Sequence, residues 1–465
     1  MMSGTGEAGR TTARPVAVAA HWSARTPVLS GSLLADAGAL RTYTAEAEKL
    51  LGELPAKPGR DPGQQQLATE VFDDQRRLRS AFLELHAERV YEELTGGLRE
   101  HRTLSELVTA ASEAFPGLTP TETQMAAERA CATQADKDGR EIDQGLFFHW
   151  VLRSPQAGPH LMQALLRPTR RARSLLGEFD RTGSLDLGTV RLERVDRAAH
   201  LTLCNGRFLN AEDNQLVDDL ETAVDLALLD DRVEVGVLRG GKMTHPRYQG
   251  RRVFCAGINL VDLHQGRISF VDFLLRRELG HLHKLIRGVR VDGAWPRALV
   301  EKPWVAAVDS FAIGGGMQVL FAVDHVVAAA DSYFSLPAAQ EGIVPGMANL
   351  RLTALAGGRL SRQVILSGRK LWAREPEAGA VCDEVVDPKM MDASIEAAVA
   401  RLASPAVVPN RHMINVAEEP VDHLRAYAAE FALEQALRLY SADVIDKVDR
   451  FSAGTSRERR TGSGS

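Results

Sequence analysis

Apolar positions in the first third of the chain recur at the spacing of an α-helix. Between residues 30 and about 176, apolar residues fall three, four or seven positions apart. One such row consists of Leu67, Val71, Leu78, Phe82 and Leu85. This period places the side chains of the row on one helix face. Gly96 and Gly97 are expected to end that helix, and the last helix of the region is expected to end near Leu176, before Gly177. The pattern predicts an all-helical region for packing, assembly or covering a site.

The pattern changes near Gly183, where apolar and polar residues begin to alternate as they do in a strand. Val190, Leu192 and Val195 are interleaved with charged residues. Further along, apolar runs typical of buried strands alternate with helical segments, and one helix is expected at 272–285. Alternating strands and helices favour an α/β fold with a largely parallel sheet.

These changes divide the chain into five predicted segments. They are a disordered tail at 1–25, a helical N-terminal domain at 26–182, an α/β domain at 183–400, a helical C-terminal region at 401–451 and a disordered tail at 452–465. The chain has 465 residues, of which 45% are hydrophobic and 25% charged. This composition is ordinary for a globular protein with a large core.

Charge and cysteine content argue against several classes of protein. The net charge of −5 and the pI near 6.3 do not suggest a nucleic-acid partner. The four cysteines are far apart and form no CxxC pair, so neither a disulfide framework nor a zinc site is expected. No apolar stretch approaches the roughly 18 residues that cross a membrane. We therefore expect a cytoplasmic protein without a membrane partner.

One histidine pair is a candidate metal site. His281 and His283 are the only histidines close together in the sequence. In the helix expected there, a spacing of two points the rings apart. No carboxylate stands at the spacing of an iron-binding triad. The sequence therefore predicts no metal.

Two glycine-containing turns carry the strongest chemical signal. Residues 314–316 are glycines between the apolar runs 304–308 and 319–323, which predicts a strand, a tight turn and a buried helix. A helix that begins at such a turn directs unpaired N–H groups outward, and these favour an anion. The other glycine-containing turn lies earlier in the chain, at 254–260.

Together the two turns resemble a known family. Residues 254–260, FCAGINL, resemble the first oxyanion-hole turn of the crotonase (enoyl-CoA hydratase/isomerase) superfamily. Residues 302–308, KPWVAAV, followed by the three glycines, resemble the second turn. The segments FSLP at 334–337 and GIVPG at 342–346 are similar to the family segment after the second turn, and 205–211 to the early loop that contacts coenzyme A. The resemblance covers about 189–400.

The resemblance implies a spiral of ββα units and a bound acyl-CoA, which would make 183–400 the acyl-CoA-binding catalytic domain. It also implies a homo-oligomer built from trimers, either a trimer or a hexamer. The backbone N–H groups of Ile258 and Gly315 would donate to the thioester oxygen. Arg207 is expected at the coenzyme A phosphates, and His245, Arg247 and Tyr248 over the cofactor half of the substrate. Further substrate contacts are expected at Ala256, Gly257, Ile258, Asn259, Ile313, Gly314, Gly316 and Ile343.

Departures from the family pattern bear on the reaction. Hydratases of this family carry two glutamates that add water across a double bond. Here these positions are Gln318, which cannot exchange a proton near neutral pH, and Ala338. Ordinary hydration is therefore not expected. Glu341 is displaced from the second position by three residues and is interpreted as a surface or structural carboxylate.

A closer resemblance extends over nearly the whole chain. The helical N-terminal extension, the GGGMQ and FSLPAAQEGI motifs and PGMANLRL are similar to the cofactor-independent dioxygenases of this superfamily that act on 3,5-dihydroxyphenylacetyl-CoA. The implied reaction uses O2 and an arylacetyl-CoA, needs no cofactor, and yields 3,5-dihydroxyphenylglyoxylate and free coenzyme A. Its product is the precursor of dihydroxyphenylglycine in glycopeptide-antibiotic biosynthesis.

Three polar residues are the candidates for contacts to the ring hydroxyls. Glu212 lies at the start of the helix after the coenzyme A loop, Arg277 on the helix after the first turn, and Gln318 after the second. An Arg–Glu pair can orient a phenol by charge-assisted hydrogen bonds. With Ile258 and Gly315, these residues form the predicted catalytic set.

Two other classes of function stay open at this point. One is another crotonase-fold enzyme, such as an acyl-CoA thioesterase or isomerase. The other is a catalytically silent coenzyme A-binding assembly protein. The loss of both glutamates argues against a hydratase but does not separate these alternatives, and the sequence does not identify the group that removes the α proton.

Overall fold

The computed structural model describes Trp22 and residues 25–450. The predicted disordered tails, 1–25 and 452–465, therefore lie outside the described residues except for Trp22 and Arg25. Contacts divide the chain into two units, residues 1–158 and 159–465. The five-segment division stays a prediction.

The first unit is helical in the residues described. Its helices are α1 (Leu33–Gly52), α2 (Pro62–Leu94), α3 (Leu104–Ala114), α4 (Glu122–Arg129) and α5 (Glu141–Arg153), with 3-10 turns at Lys57–Gly59 and Gln134–Asp136. Capping boxes start α2 at Asp61, α3 at Thr103 and α4 at Thr121, because each side chain accepts from a backbone N–H that the helix leaves unpaired.

The long helix α2 follows the predicted apolar row in part. Leu67, Val71, Leu78 and Phe82 are buried, as expected. Leu85 is 54% exposed, so its inclusion in the row was wrong. The helix has 33 residues and 3.6 residues per turn. Positions seven apart therefore rotate slowly around its axis, and by Leu85 the row has left the buried face.

The second unit begins with helical chain. Helix α6 (Ala157–Leu165) spans the division, and α7 (Arg170–Thr182) follows. The predicted end near Leu176 was wrong, because Gly177 lies inside α7 and Gly183, with φ of 67°, ends it instead. Gly177 has open space around its Cα, whereas a left-handed residue at a helix C-terminus favours glycine.

A seven-stranded sheet forms the centre of the second unit. Its strands are β1 (Ser184–Asp186), β2 (Val190–Val195), β3 (Ala198–Leu203), β4 (Val235–Gly240), β7 (Trp304–Val308), β9 (His325–Ala329) and β12 (Glu384–Val386), in that spatial order. The first three strands are antiparallel, and every later neighbour pairs in parallel. The predicted α/β architecture is confirmed, and the apolar runs of β4, β7 and β9 are buried as expected for parallel strands.

Smaller strands lie beside the main sheet. They are β5 (Val289–Arg290) paired with β6 (Leu299–Val300), and β8 (Phe311–Ile313), β10 (Tyr333–Ser335) and β11 (Leu371–Trp372) in the order β11-β10-β8. Phe311 pairs with Tyr333, and Ile313 with Ser335, in parallel register. This register fixes the end of β8 where the glycine turn begins.

Helices connect and cover the strands of the second unit. They are α8 (Asn214–Leu229), α9 (Leu260–His264), α10 (Arg276–Leu279), α11 (His281–Arg287), α12 (Gly315–Leu320), α13 (Ala338–Glu341), α14 (Ala348–Ile365, kinked at Gly357), α15 (Met391–Leu402), α16 (Val407–Glu418) and α17 (Val421–Leu439). There are 3-10 turns at Gly206–Phe208, Pro246–Tyr248, Pro376–Ala380 and Pro388–Met390.

The helix predicted at 272–285 is interrupted. A π-helical turn, Phe270–Leu275, leads into α10, and the chain breaks at Gly280 before α11. A Cβ at Gly280 would lie 2.5 Å from the Arg276 carbonyl oxygen and 3.0 Å from Glu221 Oε1. The single continuous helix was therefore wrong: glycine lets the chain pass close to a buried carboxylate.

A buried ion cluster supports this broken helix. Lys284 Nζ on α11 lies 2.8 Å from both Glu221 Oε1 and Asp225 Oδ1 on α8. Arg276 Nε lies 2.6 Å from the other oxygen of Glu221. Lys284 has no exposed surface, so its charge depends on these carboxylates. The cluster fixes α10 and α11 against α8.

Candidate active site

The two glycine turns predicted from the sequence come together in the second unit. Cys255 forms a parallel bridge with Ala312, and the N–H of Ile313 donates to the Cys255 carbonyl over 2.9 Å. Gly257 and Gly314 have φ of 87° and 53°. A Cβ built on Gly257 would lie 3.6 Å from the Gly315 nitrogen. The backbone of one turn thus packs directly on the backbone of the other.

Each turn presents one backbone N–H without a protein acceptor. Ile258 forms a parallel β-bridge with Glu212. In this bridge the Glu212 N–H donates to the Gly257 carbonyl and the Asn259 N–H donates to the Glu212 carbonyl, so the Ile258 N–H is not used. Gly315 is the first residue of α12, where an N–H has no partner inside the helix. Within the described residues neither N–H donates to the protein. Both residues line one cavity, and two such donors can stabilise an oxyanion there.

Close packing requires glycine at two positions of the turn at 314–316. A Cβ on Gly315 would lie 1.6 Å from Glu212 Oε2 and 3.0 Å from Arg277 Nη2. A Cβ on Gly316 would lie 2.6 Å from the Cβ of Cys255. The absence of side chains at these two positions lets a buried ion pair and the first turn approach the start of α12.

Arg277 is the centre of the polar part of the site. Its Nε donates to both carboxylate oxygens of Glu212 over 3.1 Å. Its Nη1 donates over 2.7 Å to Glu278 and to Gln318 Oε1, and its Nη2 donates over 2.6 Å to the Gly315 carbonyl. Arg277 is 3% exposed. One side chain therefore positions two carboxylates, an amide and the oxyanion-hole turn.

The charges in this group are unevenly matched. Arg277 is one cation between two buried carboxylates, Glu212 and Glu278. Burial raises the pKa of Glu212, and Arg277 opposes that rise without cancelling it. Burial disfavours the charge of Arg277, but Glu212 and Glu278 raise its pKa overall. Glu212 is thus the member of the pair that is pushed toward the neutral state.

Gln318 presents a donor to the cavity. Arginine has only N–H donors, so the atom that Arg277 contacts must be the amide oxygen of Gln318. The amide NH2 remains for a ligand. Gln318 is buried and lines the cavity, which agrees with its predicted place beside Glu212 and Arg277.

The cavity between these residues is small and has apolar walls. Its volume is about 40 Å³. The apolar lining comprises Ile258, Phe273, Leu274, Leu336, Ala338, Ile343, Val344, Pro345 and Phe431. Cavities that hold benzene have about 150 Å³. A ring can therefore enter only if part of the wall moves.

Several lining residues were missed by sequence reasoning. Glu278 was not among the predicted site residues, yet it is buried and its Oε2 accepts from the Met347 N–H over 2.9 Å. Phe431 and Gln435, four residues apart on α17, reach the cavity from the C-terminal helix. Gln435 Oε1 accepts from the Val344 N–H over 2.9 Å. The spacing of four between Phe431 and Gln435 is a sequence signal for a shared helix face, but ordinary packing gives the same spacing.

The residues predicted for the cofactor half form a separate group along the outside of β8. The Thr244 N–H donates to the Gly206 carbonyl over 3.2 Å, which brings the loop of Arg207 to the loop of His245, Arg247 and Tyr248. Arg207 and Arg247 are exposed. None of these four side chains lines the cavity.

A row of aromatic rings continues from this group. The ring centroids of Tyr248 and Phe311 are 5.5 Å apart, those of Phe311 and Tyr333 5.5 Å, and those of Tyr333 and Trp372 5.2 Å. Arg247 lies over Tyr248, and Lys370 over Tyr333. Cations beside flat rings suit a ligand that carries phosphates and a base.

The remaining predicted contacts are backbone or packing positions. Ala256, Ile313 and Tyr248 pack on an apolar cluster that includes Phe311. Asn259 is 3% exposed, and its side chain caps α9 by accepting from the N–H groups of Val261 and Asp262. Its side chain is therefore already engaged, and only its backbone remains for a ligand.

Comparison with known proteins identifies the fold family of this site. Residues 194–444, more than half of the chain, match the family described as enoyl-CoA hydratase/isomerase. The chain belongs to the enoyl-CoA hydratase/isomerase family. The predicted crotonase resemblance and fold are therefore confirmed.

Individual relatives of the enoyl-CoA hydratase/isomerase family differ in how much of the chain they match. A (3,5-dihydroxyphenyl)acetyl-CoA 1,2-dioxygenase of Amycolatopsis orientalis is 57% identical over 430 residues, 92% of this chain and 99% of that protein. A probable enoyl-CoA hydratase of Rhizobium meliloti is 29% identical over 232 residues, 49% of this chain and 81% of that protein. A solved enoyl-CoA hydratase/isomerase from Pseudoalteromonas atlantica has a TM-score of 0.48 at 21% identity, over 57% of this chain and 97% of that chain. The closer resemblance to dioxygenases is confirmed by the first relative.

The described residues contain neither a cluster of metal-ligand side chains nor a membrane-spanning helix. Within them, no group of three or more His, Cys, Asp or Glu side chains is arranged to hold a metal ion. Among the described helices, none is both long enough and apolar enough to cross a bilayer.

Proposed function

We propose that this chain is a dioxygenase that converts 3,5-dihydroxyphenylacetyl-CoA and O2 to 3,5-dihydroxyphenylglyoxylate and free coenzyme A, without a metal or organic cofactor. The observation that carries the proposal is the joining of two unpaired backbone N–H groups to a buried Glu212–Arg277–Gln318 group in one cavity. A relative of 57% identity bears the name of this activity.

The two N–H groups suit the first chemical step. Removing a proton between an aryl ring and a thioester gives an enolate, whose negative charge lies on the thioester oxygen. The N–H groups of Ile258 and Gly315 would donate hydrogen bonds to that oxygen without a change in their positions. A single donor of this kind contributes about 2.7–4 kcal/mol to the transition state.

The remaining steps need only O2 and the substrate. The electron-rich enolate passes an electron to O2, and the two radicals combine to a peroxide at Cα. The peroxide attacks the thioester carbonyl and expels coenzyme A, and cleavage of the O–O bond leaves the α-keto acid. Both oxygen atoms of O2 end in the product, and the two α hydrogens account for the thiol and acid protons.

The polar group suits a ring with two hydroxyls. Arg277 binds both oxygens of Glu212 on one side, which leaves lone pairs that can accept from a phenol. The Gln318 NH2 can donate to a second hydroxyl. Because these groups are fixed by Arg277, a ring without hydroxyls would leave buried polar groups unpaired, which costs about 1–3 kcal/mol for each group.

The cofactor half of the substrate would lie along the outer group of residues. We propose that Arg207 and Arg247 contact coenzyme A phosphates and that Tyr248 faces the nucleotide. The strand β8 connects this group to the oxyanion hole, since Phe311 begins the strand and Gly314 follows its end. Ala256, Gly257, Ile313, Gly314 and Gly316 would shape the passage for the thioester.

An oxygen electrode tests the proposal. Protein purified with EDTA present is expected to consume O2 when 3,5-dihydroxyphenylacetyl-CoA is added, with one free thiol released for each O2. Phenylacetyl-CoA, which lacks both hydroxyls, is the matched substrate control and should react far more slowly. Thiol release that persists without O2 would instead indicate a thioesterase, and neither signal would indicate a silent coenzyme A-binding protein.

Assembly and location remain proposals of the same kind. We propose a homo-oligomer built from trimers and a cytoplasmic location, in a pathway that makes dihydroxyphenylglycine for glycopeptide antibiotics. Family membership supports the assembly. Light scattering on the purified protein would test it, because a monomeric mass contradicts it.

A further inference from the structure

The proposed reaction requires a group that accepts the α proton, and the residues of the polar group do not supply one. Arg277 and Gln318 cannot accept a proton near neutral pH. Both oxygens of Glu212 accept from Arg277, and those of Glu278 accept from Arg277 and from the Met347 N–H. Burial raises the pKa of the Cys255 thiol and keeps it protonated.

Glu341 brings a further carboxyl group to the lining of the same cavity. Helix α13 is a single turn that begins with Ala338 and ends with Glu341. Residues three apart on a helix share a face. Both Ala338 and Glu341 line the cavity, together with Ile258, Gly315 and Gln318. The alanine leaves room at the position where hydratases carry a glutamate, and the next residue on the same face restores a carboxyl group.

Glu341 is not engaged in holding the fold. Within the described residues its carboxylate makes no hydrogen bond or ion pair with another side chain. The cavity that it lines is also lined by the apolar side chains of Leu336, Ile343 and Val344. A half-buried carboxylate without partners is costly to a protein, and such a group in a cavity is a candidate for a functional residue.

We propose that Glu341 is the general base that removes the α proton of the arylacetyl-CoA. This inference rests on the proposed function. The Cα–H bond breaks and an O–H bond forms on the Glu341 carboxylate. The electron pair of the broken bond moves into the enolate, whose oxygen is held by the two backbone N–H groups. The proton is released when coenzyme A departs as the thiol, which regenerates the carboxylate.

The electrostatic surroundings suit a base that works near neutral pH. Burial raises the pKa of Glu341 to about 7, and Lys447 lowers it in part. The other charged groups at this wall are Arg438 and Asp443, which flank Gly342. The other charged residues that line the cavity are Glu212, Arg277 and Glu278. A base is most effective when its pKa is close to the working pH.

Deuterium exchange without O2 isolates this step. Under argon in D2O, the wild-type protein is expected to exchange the α hydrogens of 3,5-dihydroxyphenylacetyl-CoA, as read by mass spectrometry. The E341Q variant should exchange about 10²–10⁴-fold more slowly, the usual contribution of a general base. The E396Q variant removes an exposed carboxylate on α15 by the same change and should exchange at the wild-type rate. Exchange by E341Q at the wild-type rate would overturn the proposal.

A second variant covers the case in which E341Q does not fold. The wild-type exchange rate should rise with pH through about 7 and then level off, because only the ionised carboxylate accepts a proton. In K447M the loss of the neighbouring positive charge should move this midpoint to higher pH. An unchanged midpoint would count against Glu341. Failure of the proposed function is distinguishable, because it appears as a wild-type protein that exchanges hydrogen but takes up no O2.

Discussion

Replacement of Gly315 by alanine is the sharpest single test of the site. The added methyl group would lie 1.6 Å from Glu212 Oε2, 2.6 Å from Glu212 Cδ and 3.0 Å from Arg277 Nη2. Contacts this short force atoms to move. Glu212 cannot simply rotate away, because it is 4% exposed and both of its oxygens are held by Arg277. The start of α12 must therefore shift, and the Gly315 N–H shifts with it.

The size of the effect is set by the groups that are displaced. Loss of one oxyanion-hole donor costs about 2.7–4 kcal/mol, or roughly 10²–10³-fold in kcat. Overpacking of a core typically costs about 1–3 kcal/mol of stability. Because folded proteins have about 5–15 kcal/mol in reserve, the variant should stay folded while it loses activity. O2 uptake under saturating substrate gives kcat, and urea unfolding followed by circular dichroism gives the stability.

Gly177→Ala provides the matched control. Gly177 lies inside α7 with no atom within 4 Å of the added methyl group. Alanine inside a helix is favoured over glycine by about 0.5–1 kcal/mol, so this variant should gain stability and keep full activity. If Gly315→Ala retained at least half of the wild-type kcat, the assignment of its N–H as an oxyanion donor would be refuted.

Three further substitutions test other parts of the structure. Arg277→Lys keeps the charge but not the planar fork of the guanidinium. The activation free energy that corresponds to kcat/KM in the O2 assay should therefore rise by about 1.5–3 kcal/mol for each lost hydrogen bond; unchanged kinetics would contradict its central position. Lys284→Met removes the cation of buried Asp225 and one of the two cations of Glu221, and urea unfolding should show a loss of about 3–5 kcal/mol in the free energy of unfolding; a loss below about 1 kcal/mol would mean that water reaches the carboxylates. Tyr427→Phe removes one hydrogen bond to the cavity wall, worth about 0.5–1.5 kcal/mol, and should speed substrate association in stopped-flow mixing by up to about tenfold; slower association would refute a closed wall.

The parts of the site that lie close together in sequence could be predicted. The glycine turn at 314–316 has its strand before it and its helix after it, and the structure confirms that order in β7, β8 and α12. The reason for the glycines could not be predicted, because Glu212 and Cys255 reach them from distant segments. A local motif therefore located the turn, and only the tertiary structure explains its composition.

Residues whose role depends on a distant partner were misread or missed. Glu278 was not predicted as a site residue, because one of its oxygens accepts from Arg277 and the other from the N–H of Met347, which is distant in sequence. Gly280 interrupts a segment with a continuous helical pattern because Glu221 stands beside it. Periodicity reports which face of a segment is apolar and does not report which buried charge that segment must avoid.

The small volume of the cavity places a condition on the mechanism. A cavity of about 40 Å³ is far smaller than the roughly 150 Å³ cavity that binds benzene, so the wall formed by residues 343–346 must move before a ring can enter. Hydrogen bonds from the wall and the adjoining Met347 run to Gln435 and Tyr427 on α17 and to Glu278. Since Glu278 also binds Arg277, wall movement and the alignment of the phenol-binding group share one carboxylate. Substrate entry and assembly of the polar site are thus coupled, and an enolate that forms only after the wall has closed again is protected from water until O2 reacts with it.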